Sequence, residues 1–111
     1  MFLYHATDSE NIDSILKHGI LAKFEGVYLT DSIESAVRWV GIRFLGTDKE
    51  IAVIKVKISK KEVEEGCDHS PLMIKIFGVG KSYLHPKNIT TDKIVEITTL
   101  KLKEVIKNTN T

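Results

Sequence analysis

The chain has few of the residues that point to a cross-linked or membrane-spanning protein. Its 111 residues include a single cysteine, Cys67, which excludes an internal disulfide and fits a reducing interior. No apolar run approaches the length of a bilayer span. The opening residues, MFLYH, lack the basic region and the apolar run of a signal peptide. We therefore expect a cytoplasmic protein with no membrane partner.

Neither sign of charge is in excess. The chain has 16 basic and 15 acidic side chains, a formal net charge of +1. This balance gives no strong nucleic-acid signature, although it leaves room for a local basic patch. Metal ligands are also scarce, because Cys67 and His69 stand two residues apart with no second pair to complete four ligands. We expect no bound metal, and the oligomeric state stays open.

Hydrophobic periodicity predicts short helices near the start of the chain. Short strands are predicted at 2–6 and 26–30, and each is followed by an amphipathic helix. The apolar face of the first helix consists of Ile12, Ile15 and Leu16. The apolar face of the second consists of Ile33, Ala36, Val37 and Val40. Gly19 ends the first helix, and Asp31 or Ser32 caps the second.

The later part of the chain predicts strands. From residue 50 the pattern has a period of two, with Ala52, Ile54, Val56 and Ile58 alternating with Lys55, Lys57 and Ser59, which is typical of a half-buried strand. Further strands are predicted at 72–77, 82–85 and 94–103. This order indicates an α+β fold rather than a regular βαβ alternation. We predict a single domain over residues 1–106 and a loose tail at 107–111.

Gly80, Lys81 and Ser82 look like the end of a phosphate-binding loop. Such a loop needs a glycine five residues before the last one, so that a long run of backbone N–H groups is exposed. That position is Lys75, inside a predicted strand, and Pro86 prevents a long helix from following. We reject the phosphate-loop interpretation and assign Ser82 to a strand.

Three side chains elsewhere are suited to a ligand site, although none is specific alone. His5 ends a predicted strand just before a helix, where a lone histidine is usually a half-buried structural residue. Tyr28 and Trp39 fit either a core or the walls of a flat pocket, since aromatic faces stack on planar rings such as nicotinamide and bases. Their order along the chain adds the specificity that each one lacks.

In that order, three stretches resemble the motifs of the ADP-ribosyltransferase fold. Residues 3–20 (LYHATDSENIDSILKHGI) resemble the first motif of poly(ADP-ribose) polymerases and RNA 2′-phosphotransferases, an aromatic-His-Gly-Ser/Thr sequence followed by a short helix. Residues 26–36 (GVYLTDSIESA) resemble the second, with Tyr28 on the family's central tyrosine and Trp39 near a second aromatic. Residues 82–89 (SYLHPKNI) resemble the third, which begins Glu-Tyr in the polymerases.

The resemblance implies a split antiparallel β-sheet with two short N-terminal helices and a cleft that binds NAD⁺ as a co-substrate. By resemblance, His5 would hydrogen-bond the adenosine-side ribose. The backbone of Ala6, which stands where the family has glycine, would hold the carboxamide of nicotinamide. Thr7 would support that turn or contact a ribose. Tyr28 would stack on the nicotinamide, with Trp39 as the opposite wall.

The third motif departs from the family at its most important position. The family's glutamate grips a ribose hydroxyl and stabilises the positive charge that develops as nicotinamide leaves. Here that position is Ser82, with Lys81 before it. Mono-ADP-ribosyltransferases often replace this glutamate and borrow a carboxylate from the target, which fits Ser82.

We therefore predict an NAD⁺-dependent mono-ADP-ribosyltransferase that acts on a protein or nucleic acid. Target recognition is expected from the loops at 44–50 and 62–70, from a basic stripe such as Lys55 and Lys57, or from a partner protein. A catalytically silent module that binds NAD⁺, another nucleotide or a protein is the first alternative. An RNA 2′-phosphotransferase, indicated by Lys81, ranks lower because that enzyme's additional N-terminal domain and basic surplus are missing. The remaining alternative is a small α+β protein with accidental matches. By resemblance alone, a lone transferase of this size suggests a toxin or a phage-encoded effector.

Overall fold

A sheet of six antiparallel strands with two helices forms the part of the protein that the computed structural model describes, residues 1–23, 26–44, 49–65 and 82–101. The strands are β1 (Phe2–Asp8), β2 (Val27–Thr30), β3 (Glu50–Lys57), β4 (Glu64–Glu65), β5 (Ser82–His85) and β6 (Ile94–Lys101). The helices are α1 (Ile12–His18) and α2 (Ile33–Phe44), with single 3₁₀ turns at Ser9–Asn11, Lys60–Glu62 and Thr91–Lys93. The predicted α+β class is confirmed. The predicted strand at 72–77, Lys81, Cys67 and the tail lie outside the described residues.

The strand order places residues side by side that are far apart in the chain. Across the sheet the order is β4-β5-β2-β1-β3-β6. β1 pairs along its whole length with β3, and β2 pairs along its whole length with β5. Within the described residues, β1 and β2 pair at Tyr4 and Thr30 alone. We call this sparse junction between the two well-paired halves of the sheet the seam.

Local capping sets where the 3₁₀ turn before α1 begins, where α2 begins and where α1 ends. The Asp8 carboxylate accepts a hydrogen bond from the Glu10 N–H and turns the chain out of β1. The Ser32 hydroxyl accepts from the Ser35 N–H at 3.2 Å, so Ser32 caps α2. Gly19 ends α1 with φ at 76°, a conformation that glycine adopts without strain. Among the described helices, neither is long and apolar enough to cross a bilayer.

The two helices cover opposite faces of the sheet. α1 contributes Ile15 to a core cluster whose other buried members are Leu3, Ile20, Val27, Leu29, Ala52, Ile54, Val56, Ile58 and Ile89. α2 packs its own buried residues against the second face, in a cluster of Ala6, Ala36, Val37, Val40, Ile51 and Val53. We call the face under α2 the α2 face. Alternation along β1 and β3 assigns odd and even residues to different faces, as a pleated strand requires.

Three sequence expectations about burial are wrong. Leu16 is 57% exposed, because α1 is short and turns Ile15 rather than Leu16 toward the sheet. Ile33 is 43% exposed, because α2 contacts the sheet through Ala36, Val37 and Val40, beyond its first turn. β3 is not half-buried in its first half, where Ile51–Ile54 are all buried. This strand lies between β1 and β6, and α2 covers the face that the alternation predicted to be polar.

Candidate functional site

The three stretches that resemble family motifs include three strands that are adjacent in the sheet. His5 lies on β1, Tyr28 on β2 and Ser82 at the start of β5, and the order β5-β2-β1 makes these strands neighbours. Gly26, directly before β2, allows this strand to lie close to the end of β5. Its φ is 148°, and it lies against the backbone of His85. A Cβ at Gly26 would meet the His85 carbonyl oxygen at 2.2 Å, so only glycine permits this approach of β2 to the end of β5.

A hydrogen bond joins His5 to Tyr28 across the seam. The Nδ1 of His5 lies 2.9 Å from the backbone oxygen of Tyr28. A carbonyl oxygen only accepts, so Nδ1 carries the proton and donates. In the neutral ring, the proton on Nδ1 leaves Nε2 as a hydrogen-bond acceptor. The contact therefore fixes both the orientation of the imidazole and the chemical character of its other nitrogen.

The surroundings of His5 favour this neutral ring. Burial lowers the pKa of His5 below its ordinary value of 6.5, and the positive charge of Lys23 lowers it further. The hydrogen bond to Tyr28 acts in the opposite direction and does not reverse the shift. Near neutral pH the ring is therefore predominantly uncharged, and Nε2 has the character of a hydrogen-bond acceptor.

Ala6 presents its backbone, not its side chain, to the seam. Met1 and Ile58 exchange both backbone hydrogen bonds, at 3.0 and 2.9 Å, at the start of the β1–β3 ladder. In an antiparallel pair such mutual bonding recurs at every second residue, so the N–H and C=O groups of Tyr4 and Ala6 point away from β3. Beyond Tyr4, β1 and β2 form no further pair within the described residues, and the backbone N–H and C=O of Ala6 point toward the β2 side.

The methyl group of Ala6 is accommodated on the α2 face. Ala6 is 8% exposed and packs in the cluster beneath α2. Its pairing with Val53 also shows that the backbone is extended, so the residue needs no glycine conformation. The exchange of the family's glycine for Ala6 is therefore compatible with a backbone that binds a ligand.

Thr7 is held toward the first helical turn. Its hydroxyl oxygen accepts a hydrogen bond from the Asn11 side chain at 2.8 Å. Thr7 therefore fastens the end of β1 to the 3₁₀ turn Ser9–Asn11. Trp39, the second predicted aromatic wall, lies on α2, and its side chain is outside the described part of the structure.

Tyr28 and Ser82 share the α2 face. Thr30 stands directly opposite Ser82, and Tyr28 stands opposite Leu84 in the same antiparallel ladder. Tyr28 is thus a diagonal neighbour of Ser82, at a distance of about 7–8 Å that an aromatic ring can span. Tyr28 is 47% exposed, whereas Ser82 and Thr30 are half-buried.

The His5 side chain leaves β1 on the opposite side of the sheet from Tyr28. Its neighbour Tyr4 is paired with Thr30 and therefore shares the face of Tyr28, whereas His5 alternates to the other face. The His5 ring nevertheless reaches the backbone of Tyr28, to which its Nδ1 is hydrogen-bonded. The predicted residues thus meet at the seam from both faces instead of lining one wall together.

A carboxylate that the sequence did not single out lies beside Ser82. β4 pairs with β5 so that Glu64 stands opposite Leu84, and Glu65 stands opposite Tyr83. Glu64 is therefore a diagonal neighbour of Ser82 on the α2 face, again at about 7–8 Å. Glu65 alternates to the other face. The only sequence signal for Glu64 was its place in a charged turn, because β4 has two residues and no hydrophobic pattern.

The described residues contain no group of three or more His, Cys, Asp or Glu side chains arranged to hold a metal ion. Neither the family models nor the curated proteins with which the chain was compared match it. The site therefore has to be interpreted from its own geometry. That geometry consists of a neutral histidine and an open backbone edge at the seam, with a tyrosine, a serine and a carboxylate beside it.

Proposed function

We propose that the protein is an NAD⁺-dependent mono-ADP-ribosyltransferase acting on a macromolecular acceptor, with the NAD⁺ site at the seam. One observation carries the proposal: His5 and Tyr28, from stretches that resemble two motifs of that fold, are hydrogen-bonded to each other at 2.9 Å. The third stretch lies on the adjoining strand, with Ser82 diagonal to Tyr28. An accidental set of matches gives no reason for such proximity between residues so distant in the chain.

The groups at the seam match the polar parts of NAD⁺. The backbone N–H and C=O of Ala6 offer the donor and acceptor that a carboxamide requires. The exposed ring of Tyr28 offers a face for stacking on nicotinamide. The Nε2 of His5 accepts a hydrogen bond from a ribose hydroxyl, a role that requires the neutral ring. Ser82 offers a further hydroxyl on the side of Glu64.

Glu64 supplies the negative charge that Ser82 lacks. As the bond between nicotinamide and the ribose breaks, nicotinamide leaves with the bonding electron pair and positive charge develops on the ribose. A carboxylate fixed beforehand near that charge stabilises the transition state. The acceptor then forms a bond to the same ribose carbon and gives its proton to the Glu64 carboxylate. A carboxylate from the target is not required in this scheme.

The main competing function is a catalytically silent binding module, and the position of Glu64 argues against it. The silent module was suggested by the missing carboxylate of the third motif, and Glu64 lies next to that position on the same face. The RNA 2′-phosphotransferase was suggested by Lys81, which lies outside the described residues. Nothing described therefore adds support to the phosphotransferase.

Turnover of NAD⁺ tests the proposal. The purified protein should bind NAD⁺ in calorimetry and release nicotinamide, with or without an added acceptor. Tyr28→Ala should weaken NAD⁺ binding by about tenfold, since a base stacked on an aromatic ring contributes about 1–3 kcal/mol. Glu64→Gln should keep NAD⁺ binding and reduce nicotinamide release by about 10²–10³-fold, as loss of one electrostatic contact to a transition state does.

Glu65→Gln is the matched control, because Glu65 is the next residue and alternates to the other face. It should retain the wild-type rate. Binding of NAD⁺ without any release of nicotinamide would support the silent module. Absence of NAD⁺ binding, or equal rates for the Glu64 and Glu65 variants, would contradict the proposed site.

A further inference from the structure

A row of side chains crosses the α2 face from the candidate site to the far edge of the sheet. The paired residues are Ser82 on β5, Thr30 on β2, Tyr4 on β1, Lys55 on β3 and Glu96 on β6. Each step between strands is about 4.8 Å, so the row extends for about 19 Å. Anything bound over Tyr4 and Lys55 is therefore continuous with the place where Ser82 lies.

Around the middle of this row, two aromatic residues on β1 stand opposite two lysines on β3. Tyr4 stands opposite Lys55, and Phe2 stands opposite Lys57, all on the α2 face. The two rings are two residues apart on one strand, about 7 Å, and the two lysines have the same spacing on the next strand. We call these four residues the aromatic-lysine block.

The aromatic-lysine block begins where the cover of α2 ends. Ala6, Ile51 and Val53 lie beneath the helix, Tyr4 packs against the edge of that cluster, and Phe2, Lys55 and Lys57 are not part of it. Phe2 is 48% exposed and Lys57 is exposed, whereas Tyr4 and Lys55 are half-buried. Lys55 places its ammonium 4.6 Å from the centre of the Phe2 ring. Within the described residues, neither lysine forms an ion pair.

We propose that the aromatic-lysine block binds a single-stranded nucleic acid and that this strand is the acceptor for the candidate site. Proteins that bind single-stranded nucleic acids combine aromatic side chains with basic ones, since bases stack on the rings while ammonium groups neutralise the phosphates. A duplex does not fit this pattern, because its bases are not free to stack on a flat sheet. The contact of Lys55 with Phe2 keeps one charge next to one ring before any ligand arrives.

The surrounding charges give the strand a path. Glu96 lies opposite Lys55 on the edge strand and repels phosphate there, so the strand follows β1 and β3 instead of crossing to β6. Toward the other edge, the row leads through Thr30, which has no charge, to Ser82. The nucleotide of the bound nucleic acid that lies nearest to Thr30 is thereby presented to the candidate site.

Binding by this surface does not depend on catalysis, whereas the acceptor role rests on the proposed transferase function. Binding is therefore measured without NAD⁺, by fluorescence anisotropy with labelled oligothymidine and oligouridine of about twelve nucleotides. The affinity should fall as salt is raised. Lys55→Ala with Lys57→Ala should reduce the slope of log affinity against log salt by about 1.4, the value for two lost contacts to single-strand phosphates.

Matched variants separate stacking from charge and location. Lys17→Ala with Lys87→Ala removes the same charge at two exposed positions outside the aromatic-lysine block and should change the salt slope little. Phe2→Leu should weaken binding at least about fivefold, whereas Phe2→Trp should retain it. Transfer of ADP-ribose from NAD⁺ to the oligonucleotide, lost in the Lys55 and Lys57 double variant, should identify the strand as the acceptor.

Each outcome separates the two proposals. Binding that depends on the aromatic-lysine block supports this surface even if no ADP-ribose is transferred, a result that counts against the proposed function alone. No binding of either oligonucleotide at low salt overturns the surface, even if a protein is modified. Stronger binding of a polyglutamate peptide, unaffected by Phe2→Leu, also overturns it, because charge alone would then account for the interaction.

Discussion

His5 shows how one hydrogen bond determines the chemistry of a side chain. The bond from Nδ1 to the Tyr28 backbone fixes the tautomer, and burial holds the ring neutral. The ring thereby gains an acceptor nitrogen at the seam. A histidine with the same position in the sequence but free of that carbonyl would keep both tautomers in exchange.

We predict that His5 makes the folded protein more sensitive to acid. Its pKa in the folded state lies below the ordinary 6.5, so the unfolded chain binds more protons than the folded protein between the two values. This part of the stability is complete above about pH 6.5 and is lost as the pH falls below it. Proton NMR titration of the ring should give a midpoint below 6.5. A midpoint at or above 6.5 would contradict the assignment.

Gly26 is a second residue whose identity the structure requires. We predict that Gly26→Ala destabilises the protein by at least about 1–3 kcal/mol, the usual range for a strained backbone conformation. The added Cβ would also meet the backbone of His85 and Pro86, neither of which is a flexible side-chain end. Urea denaturation measures the loss. The control is Ser14→Ala on the exposed side of α1, and an equal effect of both exchanges would contradict the role of Gly26.

At the scale of elements, the turn between β2 and α2 connects the site to its covering helix. Ser32 caps α2 through the Ser35 N–H, and the carbonyl of Ser32 accepts a hydrogen bond from the Thr30 hydroxyl at 2.7 Å. Thr30 itself is the partner of both Tyr4 and Ser82. The start of α2 is therefore positioned by Thr30, the residue next to Ser82 in the row that crosses the α2 face.

We predict that Ser32→Ala lowers the free energy of unfolding by about 1 kcal/mol, because the first turn of α2 loses its side-chain acceptor. Ser32→Asp keeps an acceptor at the same position and should retain most of the stability. Thermal or urea unfolding followed by circular dichroism measures both variants. If the two substitutions lower the stability equally, the cap does not contribute as the geometry indicates.

At the scale of the whole molecule, stability depends on the core cluster that extends across both halves of the sheet. Leu29 of β2 and Leu3 of β1 both belong to it and are fully buried. We predict that Leu29→Ala costs about 2–5 kcal/mol of unfolding free energy, as expected when a large buried side chain leaves a cavity. Leu16→Ala makes the same chemical change at a position that is 57% exposed and should have little effect. Urea denaturation of both variants tests the comparison.

The sequence predicted the elements better than it predicted their neighbours. The end of β2, both limits of β5 and the end of α1 at Gly19 follow from local patterns, and the structure agrees; β2 begins one residue later than predicted. Glu64 beside Ser82 could not be predicted, because this proximity depends on the register between distant strands. A shift of one residue moves every side chain of a strand to the other face.

The aromatic-lysine block could not be predicted from the sequence for a related reason. Lys55 and Lys57 were visible as a basic stripe, but Phe2 and Tyr4 lie some fifty residues earlier in the chain, and only the β1–β3 pairing brings the four together. The net charge of +1 averages these lysines with acidic residues elsewhere. A surface of this kind becomes visible only when charge is counted by face.

The seam at Tyr4 and Thr30 also determines how the molecule deforms. On either side of it, continuous ladders of backbone hydrogen bonds hold the strands at a set angle. Across it, the described contacts are the Tyr4–Thr30 pair, the hydrogen bond from His5 to the Tyr28 backbone and apolar packing. Apolar contact has no preferred direction, so it tolerates small rotations that a ladder of directional bonds resists. We therefore expect the angle between the halves to be less constrained than the angles within each half, and a small rotation about this pair would shift Ala6 relative to β2 while every strand stays intact.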